Sequence, residues 1–364
     1  MNNQKIVLLF LCSVLFWSCG QNNTEDKRKM EIEGEIKDLM HEFIEEIDIP
    51  GMGFGYYSDT IGTVMLAVGL SDIENNTPLE IGTHYPIQST SKMFMSILTL
   101  QLVEEGKLML ESTIDEWMDF VPKSNLITIK DLLKHTSGLV DYQANSDFMD
   151  EYWSYTSKKY SRDDFILAGI EVSDTCEIGT FEYANTNFLI LANIIETITQ
   201  HPIGQDLEQH IFHPADMNNT YYKPEITNDT NEIVTCYRNG DHIDLNRINF
   251  SSNASGGIVS TIGDMLKYAQ WVMDNNYQIQ MTSELNEVVV TDNYSYKYGL
   301  GIQVNDKYYS THLMGHTGGN PGFIHEFYFS LETGEIILYF FNEGNPREYF
   351  PFREKLDTIL QKYR

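Results

Sequence analysis

The sequence predicts an α/β fold: an antiparallel sheet assembled from both ends of the chain, flanked by helices, with a mostly helical subdomain inserted between. Three observations predict it. Strand-like apolar runs occur near the start and again only late, helical period dominates the middle, and the composition suits a packed core. Of the 364 residues 42% are hydrophobic and 21% charged, which argues for a globular chain over a disordered one.

In chain order, Ile32, Ile36, Leu39, Met40, Phe43, Ile44 and Ile47 recur at helical spacing, and Pro50-Gly51 stops the pattern. Met52–Tyr57 and Thr63–Leu70 then flank the turn residues Ser58 to Gly62, which reads as a hairpin. From Ser89 to about residue 220 the period is helical, with examples at Met93–Leu102, Ile129–Lys134 and Phe188–Ile198. Strand signals return at Tyr298–Val304, Tyr308–Leu313, Phe323–Ser330 and Glu335–Phe341, and Glu354–Lys362 reads as a closing helix. Early and late strands sharing one sheet leave the middle as an insertion, about residues 89–250, and the cleft beside it is a natural place for a site.

The first 18 residues read as an export signal. Lys5 supplies a positive start and Ile6–Trp17 is a nearly unbroken apolar run, too short to span a bilayer. Ser18-Cys19-Gly20 resembles a lipoprotein box, so Cys19 is the expected lipidation site, and residues 19–30 read as a tether to a domain over 31–364. The expected setting is the cell envelope, reached through that lipid anchor. A formal charge of −29 repels phosphate backbones, so nucleic acid is not an expected partner. Of four cysteines, Cys176 and Cys236 remain beyond the leader; two free thiols or one bridge both fit.

Three short stretches carry chemistry. Ser89-Thr90-Ser91-Lys92 opens an apolar helix, where positions three apart share a face and an amine lies beside a hydroxyl. A serine hydroxyl is a weak nucleophile that needs a neighbouring base; the lysine serves if desolvation or a nearby cation leaves it partly neutral, or if it lowers the pKa of another base. Tyr183-Ala184-Asn185, read as an extended segment, points a phenol and an amide to one side. The phenol, eased toward ionisation by the ammonium, is expected to take the serine proton and pass it to the leaving group. Asn185 is expected to bond Lys92 and a substrate carbonyl. Tyr237-Arg238-Asn239-Gly240 offers the same Tyr-x-Asn pattern, but its Asn-Gly step reads as a hairpin turn. In Gly315-His316-Thr317-Gly318-Gly319 the glycines let a substrate approach a strand closely, and the amides of Ser89 and Gly319 suit an oxyanion hole.

Together these stretches, in this order, resemble the serine β-lactamase and DD-peptidase superfamily, in its class C-like branch. The resemblance covers about residues 35–345. It includes Ile127 to Leu139 (with Lys134-His135-Thr136-Ser137-Gly138), Ser255-Gly256-Gly257 and Tyr298-Gly299-Leu300-Gly301. It implies Ser89, Lys92 and Tyr183 as catalytic residues. Asn185, His316, Thr317, Gly318 and Gly319 become substrate-binding and oxyanion residues, with no cofactor or metal. The implied activity is acyl-enzyme hydrolysis of a D-amino-acid peptide or amide, or of a carboxylic ester. β-Lactam hydrolysis, and slow binding of penicillin or peptidoglycan peptides, are the alternatives. His316 stands where class C β-lactamases carry Lys, and a neutral imidazole holds a β-lactam carboxylate less well.

Other residues read more plainly. His135 is expected to fix its loop. His210 and His213, near Asp206 and Glu208, have partial zinc spacing but no third ligand in pattern. Asp115 and Glu116 read as a solvated face, and Asp141-Tyr142 with Tyr152, Trp153 and Tyr155 as packing of the subdomain.

Overall fold

The computed structural model describes residues 26–154, 160–173, 177–222, 233–243, 254–291, 294–305, 310–320, 322–344 and 350–364. The leader, Cys19 and Cys176 lie outside them.

Helix α1 (26–46) is followed by strands β1 (Gly51–Ser58), β2 (Gly62–Asp72), β3 (Thr77–Pro78) and β4 (Tyr85–Pro86). Helices then run through α2 (Ser91–Glu104), α3 (Ile129–Lys134), α4 (Ser146–Trp153), α5 (Arg162–Glu171), α6 (Asn185–Thr199) and α7 (Ile203–Leu207). Short strands β5 (Tyr221–Tyr222), β6 (Cys236–Arg238), β7 (Asp241–Ile243) and β8 (Ile258–Ser260) precede α8 (Ile262–Asp274) and α9 (Tyr277–Met281). The late strands are β9 (Asn286–Thr291), β10 (Tyr294–Tyr298), β11 (Gln303–Asn305), β12 (Leu313–Asn320), β13 (Phe323–Phe329) and β14 (Ile336–Phe341), and α10 (Phe350–Gln361) closes the chain.

The two ends do share one sheet. Nine strands lie in the order β3-β2-β1-β14-β13-β12-β11-β10-β9, and β1 pairs antiparallel with β14 from Met52↔Phe341 to Tyr57↔Ile336. Strand alternation sorts the two faces. Met52, Phe54 and Tyr56 of β1, with Ile337, Tyr339 and Phe341 of β14, pack under α1 and α10. The predicted stripe Ile32, Ile36, Leu39, Met40 and Phe43 buries on that side. Ile336, Leu338 and Phe340 face the other layer, which holds α2, α6 and α8. Glycines at 53 and 55 keep β1 flat on that side; a Cβ on Gly55 would stand 2.7 Å from Ile262 of α8.

Several expected boundaries shift. Helix α1 starts inside the expected tether, because Lys27–Glu31 and Lys29–Glu33 pair along it and Arg28 Nη2 donates to the Tyr363 carbonyl at 2.8 Å. The run Tyr298–Val304 is broken by a turn, with Gly301 at φ +68°. The strand expected at Tyr308–Leu313 begins instead at Leu313, and residues 306–309 lie outside the described part. The Asn239-Gly240 hairpin is present, both residues at positive φ between β6 and β7. Cys236 is a buried thiol.

The far layer is fastened by Arg353 of α10, fully buried, whose guanidinium donates to both oxygens of Glu326 on β13. Breaking such a pair leaves an uncompensated buried charge, which costs about 3–5 kcal/mol. Arg353→Met should lower unfolding free energy by about that much in urea titrations; an unchanged midpoint would contradict this anchoring.

Candidate active site

The nucleophile turn is built by strain and close approach. Residues Gln88–Thr90 form a single 3₁₀ turn ahead of α2, and Gln88 sits at φ +50°, a conformation that costs an L-residue about 1–2 kcal/mol. Strand β4 enters this turn and pairs with β8, and Ile87 N–H donates to the Ile258 carbonyl at 3.0 Å. On the other side stands β12. A Cβ on Gly318 would collide with the Ile87 carbonyl and lie 2.9 Å from Gln88 Cβ, so only glycine lets the third stretch close on the first.

Lys92 is fully buried in the first turns of α2, while Ser89 keeps part of its surface open. Lys92 Nζ lies 3.0 Å from Ser89 Oγ, 2.7 Å from Asn185 Oδ1 and 3.2 Å from the Ser255 carbonyl. Burial pulls its pKa down to about 7, and the Asp141 carboxylate opposes this. The Ser255-Gly256-Gly257 stretch therefore acts through its backbone, and Ile258 N–H bonds Ser91 Oγ to hold it against α2.

Tyr183 flanks the same amine, with Nζ 4.9 Å from its ring centre. Burial raises the phenol above its ordinary range, and the nearby Ser89 side chain opposes this in part. Burial thus favours the uncharged form of both groups. The lysine is poised near neutrality and the phenol keeps its proton.

Asn185 is not in an extended segment with Tyr183; it is the first residue of α6, and Ala184 is the extended cap. Asp141 makes this start possible. Its Oδ2 accepts from both Asn185 N and Asn185 Nδ2 at 2.8 Å, turning the amide oxygen toward Lys92 and leaving one Nδ2–H for a substrate.

In the third stretch the residues divide. Strand β12 pairs with β11 only as far as Gly315, so Thr317 to Asn320 continue past it beside the nucleophile turn. Thr317 Oγ1 accepts from Gln303 Nε2 at 3.3 Å, which leaves its own proton to donate, and Gly319 is exposed. His316 differs from expectation. It is buried, Nε2 lies 3.0 Å from Tyr298 Oη and Nδ1 lies 2.5 Å from the Thr317 carbonyl, so neither nitrogen is free for substrate. Burial and the nearby Lys92 lower its pKa to about 3.

Sequence reasoning missed several neighbours. His135 fixes its loop as expected, at φ +56°, and also accepts from Ala184 N–H at 3.1 Å. His325 is buried behind the nucleophile, 3.1 Å from Thr90 Oγ1 and 3.4 Å from Tyr85 Oη. The strand period of β13, which puts His325 opposite Glu326, was the available signal. His201 pairs with Asp206 and His213 with Glu208, and among the described residues no three ligands converge on a metal position. Tyr142 and Tyr152 pack edge-on against Phe165, as expected of the subdomain.

The family model described as Beta-lactamase matches residues 36–361. The chain belongs to this family. It is similar to the Bacillus subtilis (strain 168) protein called penicillin-binding protein PbpX, 27% identical over 80% of this chain and 69% of the other. It is 30% identical to the D-aminopeptidase of Brucella anthropi over 58% of this chain, which spans only 40% of that protein. The structure of D-amino acid amidase from Ochrobactrum anthropi SV3 superposes with a TM-score of 0.80 at 22% identity, covering 91% of this chain and 98% of that one, a match of fold. Within this family the chain is a serine hydrolase.

Gly318→Ala tests the close approach. Displacing the nucleophile turn by part of an ångström should slow labelling of the enzyme by a fluorophosphonate about 10²-fold while the melting temperature falls only modestly. A labelling rate equal to wild type would contradict the tight fit.

Proposed function

We propose that the protein hydrolyses an amide or ester through an acyl-enzyme on Ser89. The observation that carries this is the short contact between Ser89 Oγ and a fully buried lysine amine held near neutrality. Lys92 takes the Ser89 proton as Oγ bonds to the substrate carbonyl carbon, and the carbonyl electron pair moves to oxygen. The amides of Ser89 and Gly319 hold that oxyanion. As the tetrahedral species collapses, Tyr183 gives its proton to the departing nitrogen or oxygen and is reprotonated from Lys92. Water then bonds to the acyl carbon and gives a proton to the same pair; the carbon–Oγ bond breaks, Ser89 recovers that proton and the acid is released.

The substrates proposed are D-amino-acid amides and peptides, followed by carboxylic esters. Similarity to a D-aminopeptidase and a D-amino acid amidase supports the first class. The neutral, internally bonded His316 supports ranking β-lactams below both, since it offers no cation to their carboxylate.

The test compares D-phenylalanine amide, a D-Ala-D-Ala peptide, a short-chain nitrophenyl ester and nitrocefin on wild type and Ser89→Ala. Turnover should favour the amide or ester and vanish in the variant, and kcat/KM should rise with pH through about 7 as Lys92 loses its proton. Fluorophosphonate labelling that survives in Ser89→Ala would refute the assignment, and stable labelling without turnover of any substrate would favour a binding protein.

We further propose that the enzyme is exported and held in the cell envelope by a lipid on Cys19. The support is the apolar run Ile6–Trp17 ending at Ser18-Cys19. Radiolabelled palmitate should mark the wild type and not Cys19→Ala, with the variant moving to the soluble fraction; equal labelling would rule the anchor out.

A further inference from the structure

Behind the active site, two buried histidines and a buried tyrosine join the second catalytic stretch to the third. His135, Tyr298 and His316 are each no more than 1% exposed. At one end Ala184 N–H donates to His135 Nδ1 at 3.1 Å, and the Asn187 amide lies 3.2 Å from the same nitrogen. A nitrogen that accepts from a backbone N–H carries no proton, so the neutral ring holds its hydrogen on Nε2. That nitrogen lies 3.2 Å from Tyr298 Oη, which must accept. The tyrosine has one proton, and its other neighbour is His316 Nε2 at 3.0 Å. His316 must then keep its own hydrogen on Nδ1, which faces the Thr317 carbonyl, a group that can only accept.

The four bonds therefore run in one direction, from Ala184 N–H to the Thr317 carbonyl. Each end is pinned by a main-chain group that can play one role only. Protonating His316 would make the Tyr298 oxygen accept twice and strand its proton in a buried site, at the full desolvation cost of an unpaired donor.

We infer that Tyr298 is a positioning residue for the active site: it fixes the neutral His316 in the Nδ1–H form and ties the Tyr183–Asn185 segment to the Thr317–Gly319 strand. His316 then serves the substrate through the placement of Thr317 and Gly319, not through its charge. The burial that lowers the pKa of both rings agrees with this. For its effect on rate the inference rests on the proposed roles of Ser89, Lys92 and Tyr183; for the proton positions it does not.

Long-range ¹H–¹⁵N spectra of histidine-labelled full-length protein test it, with signals assigned by His316→Gln and His135→Gln. Between about pH 5 and 9, wild-type His316 should remain the neutral Nδ1–H tautomer and His135 the Nε2–H tautomer. In Tyr298→Phe, His316 should lose its single tautomer, because Nε2 is left without its donor. kcat/KM should fall about 10²-fold. A wild-type His316 carrying its proton on Nε2, or titrating above about pH 6, overturns the proposal, and this readout stands even if the variant does not fold. A Tyr298→Phe protein whose His316 signal matches wild type overturns it too. Failure of Ser89→Ala to abolish turnover would instead strike the catalytic assignment and leave the spectra unaffected.

Discussion

Lys92 holds its amine wholly out of solvent, yet three oxygens from three separate segments point at it: Ser89 in its own helix turn, Asn185 at the start of α6, and the Ser255 carbonyl ahead of β8. Acceptors favour the ammonium and burial disfavours it. Burial is the larger effect, so the group sits where a proton can be taken up and released. Much of the remaining architecture serves this balance. Asp141 turns the Asn185 oxygen inward, Ser91 holds the Ser255 loop, and His135 receives the backbone of Ala184. A lysine exposed to water at the same spacing would be a permanent cation and no base.

A second constraint is mechanical. The serine is presented on a turn whose preceding residue, Gln88, is held at positive φ, and β12 is pressed against that turn at Gly318. The strain is maintained by the pairing of β4 with β8 and by the sheet register that brings β12 past the end of β11. The turn that carries Ser89 and the strand beside it are therefore set by one contact, and glycine at 318 is a geometric requirement rather than a sign of flexibility.

The sheet from both ends, the hairpin at residues 58–62 and the stripe of α1 were legible because each depends on local period. The three stretches that meet at the candidate site were legible as patterns for a similar reason, since each is contiguous. What was not legible is what crosses the chain. Asp141 looked like part of an aromatic packing cluster, because nothing near it in sequence points to Asn185, 44 residues away. Tyr298 looked like the start of a strand; its bonds to His135 and His316 exist only once β10 and β12 lie in one sheet. How far burial favours a neutral Lys92 amine and a protonated Tyr183 phenol was not legible either, because residue spacing does not report depth.

The pairing of β1 with β14 has a consequence for how the molecule comes into being. Met52 finds its partner at Phe341, and Glu35 of α1 accepts from Lys362 and Tyr363 at the extreme C-terminus. The seam between β1 and β14 therefore cannot close until β14 has left the ribosome, whereas α2 to α9 can begin to collapse earlier. Contacts this distant in sequence make for slow assembly and a long exposure of β1 and β2 as an unfinished edge. Closure of the sheet waits on β14, and without that strand β1 would be left as an open edge.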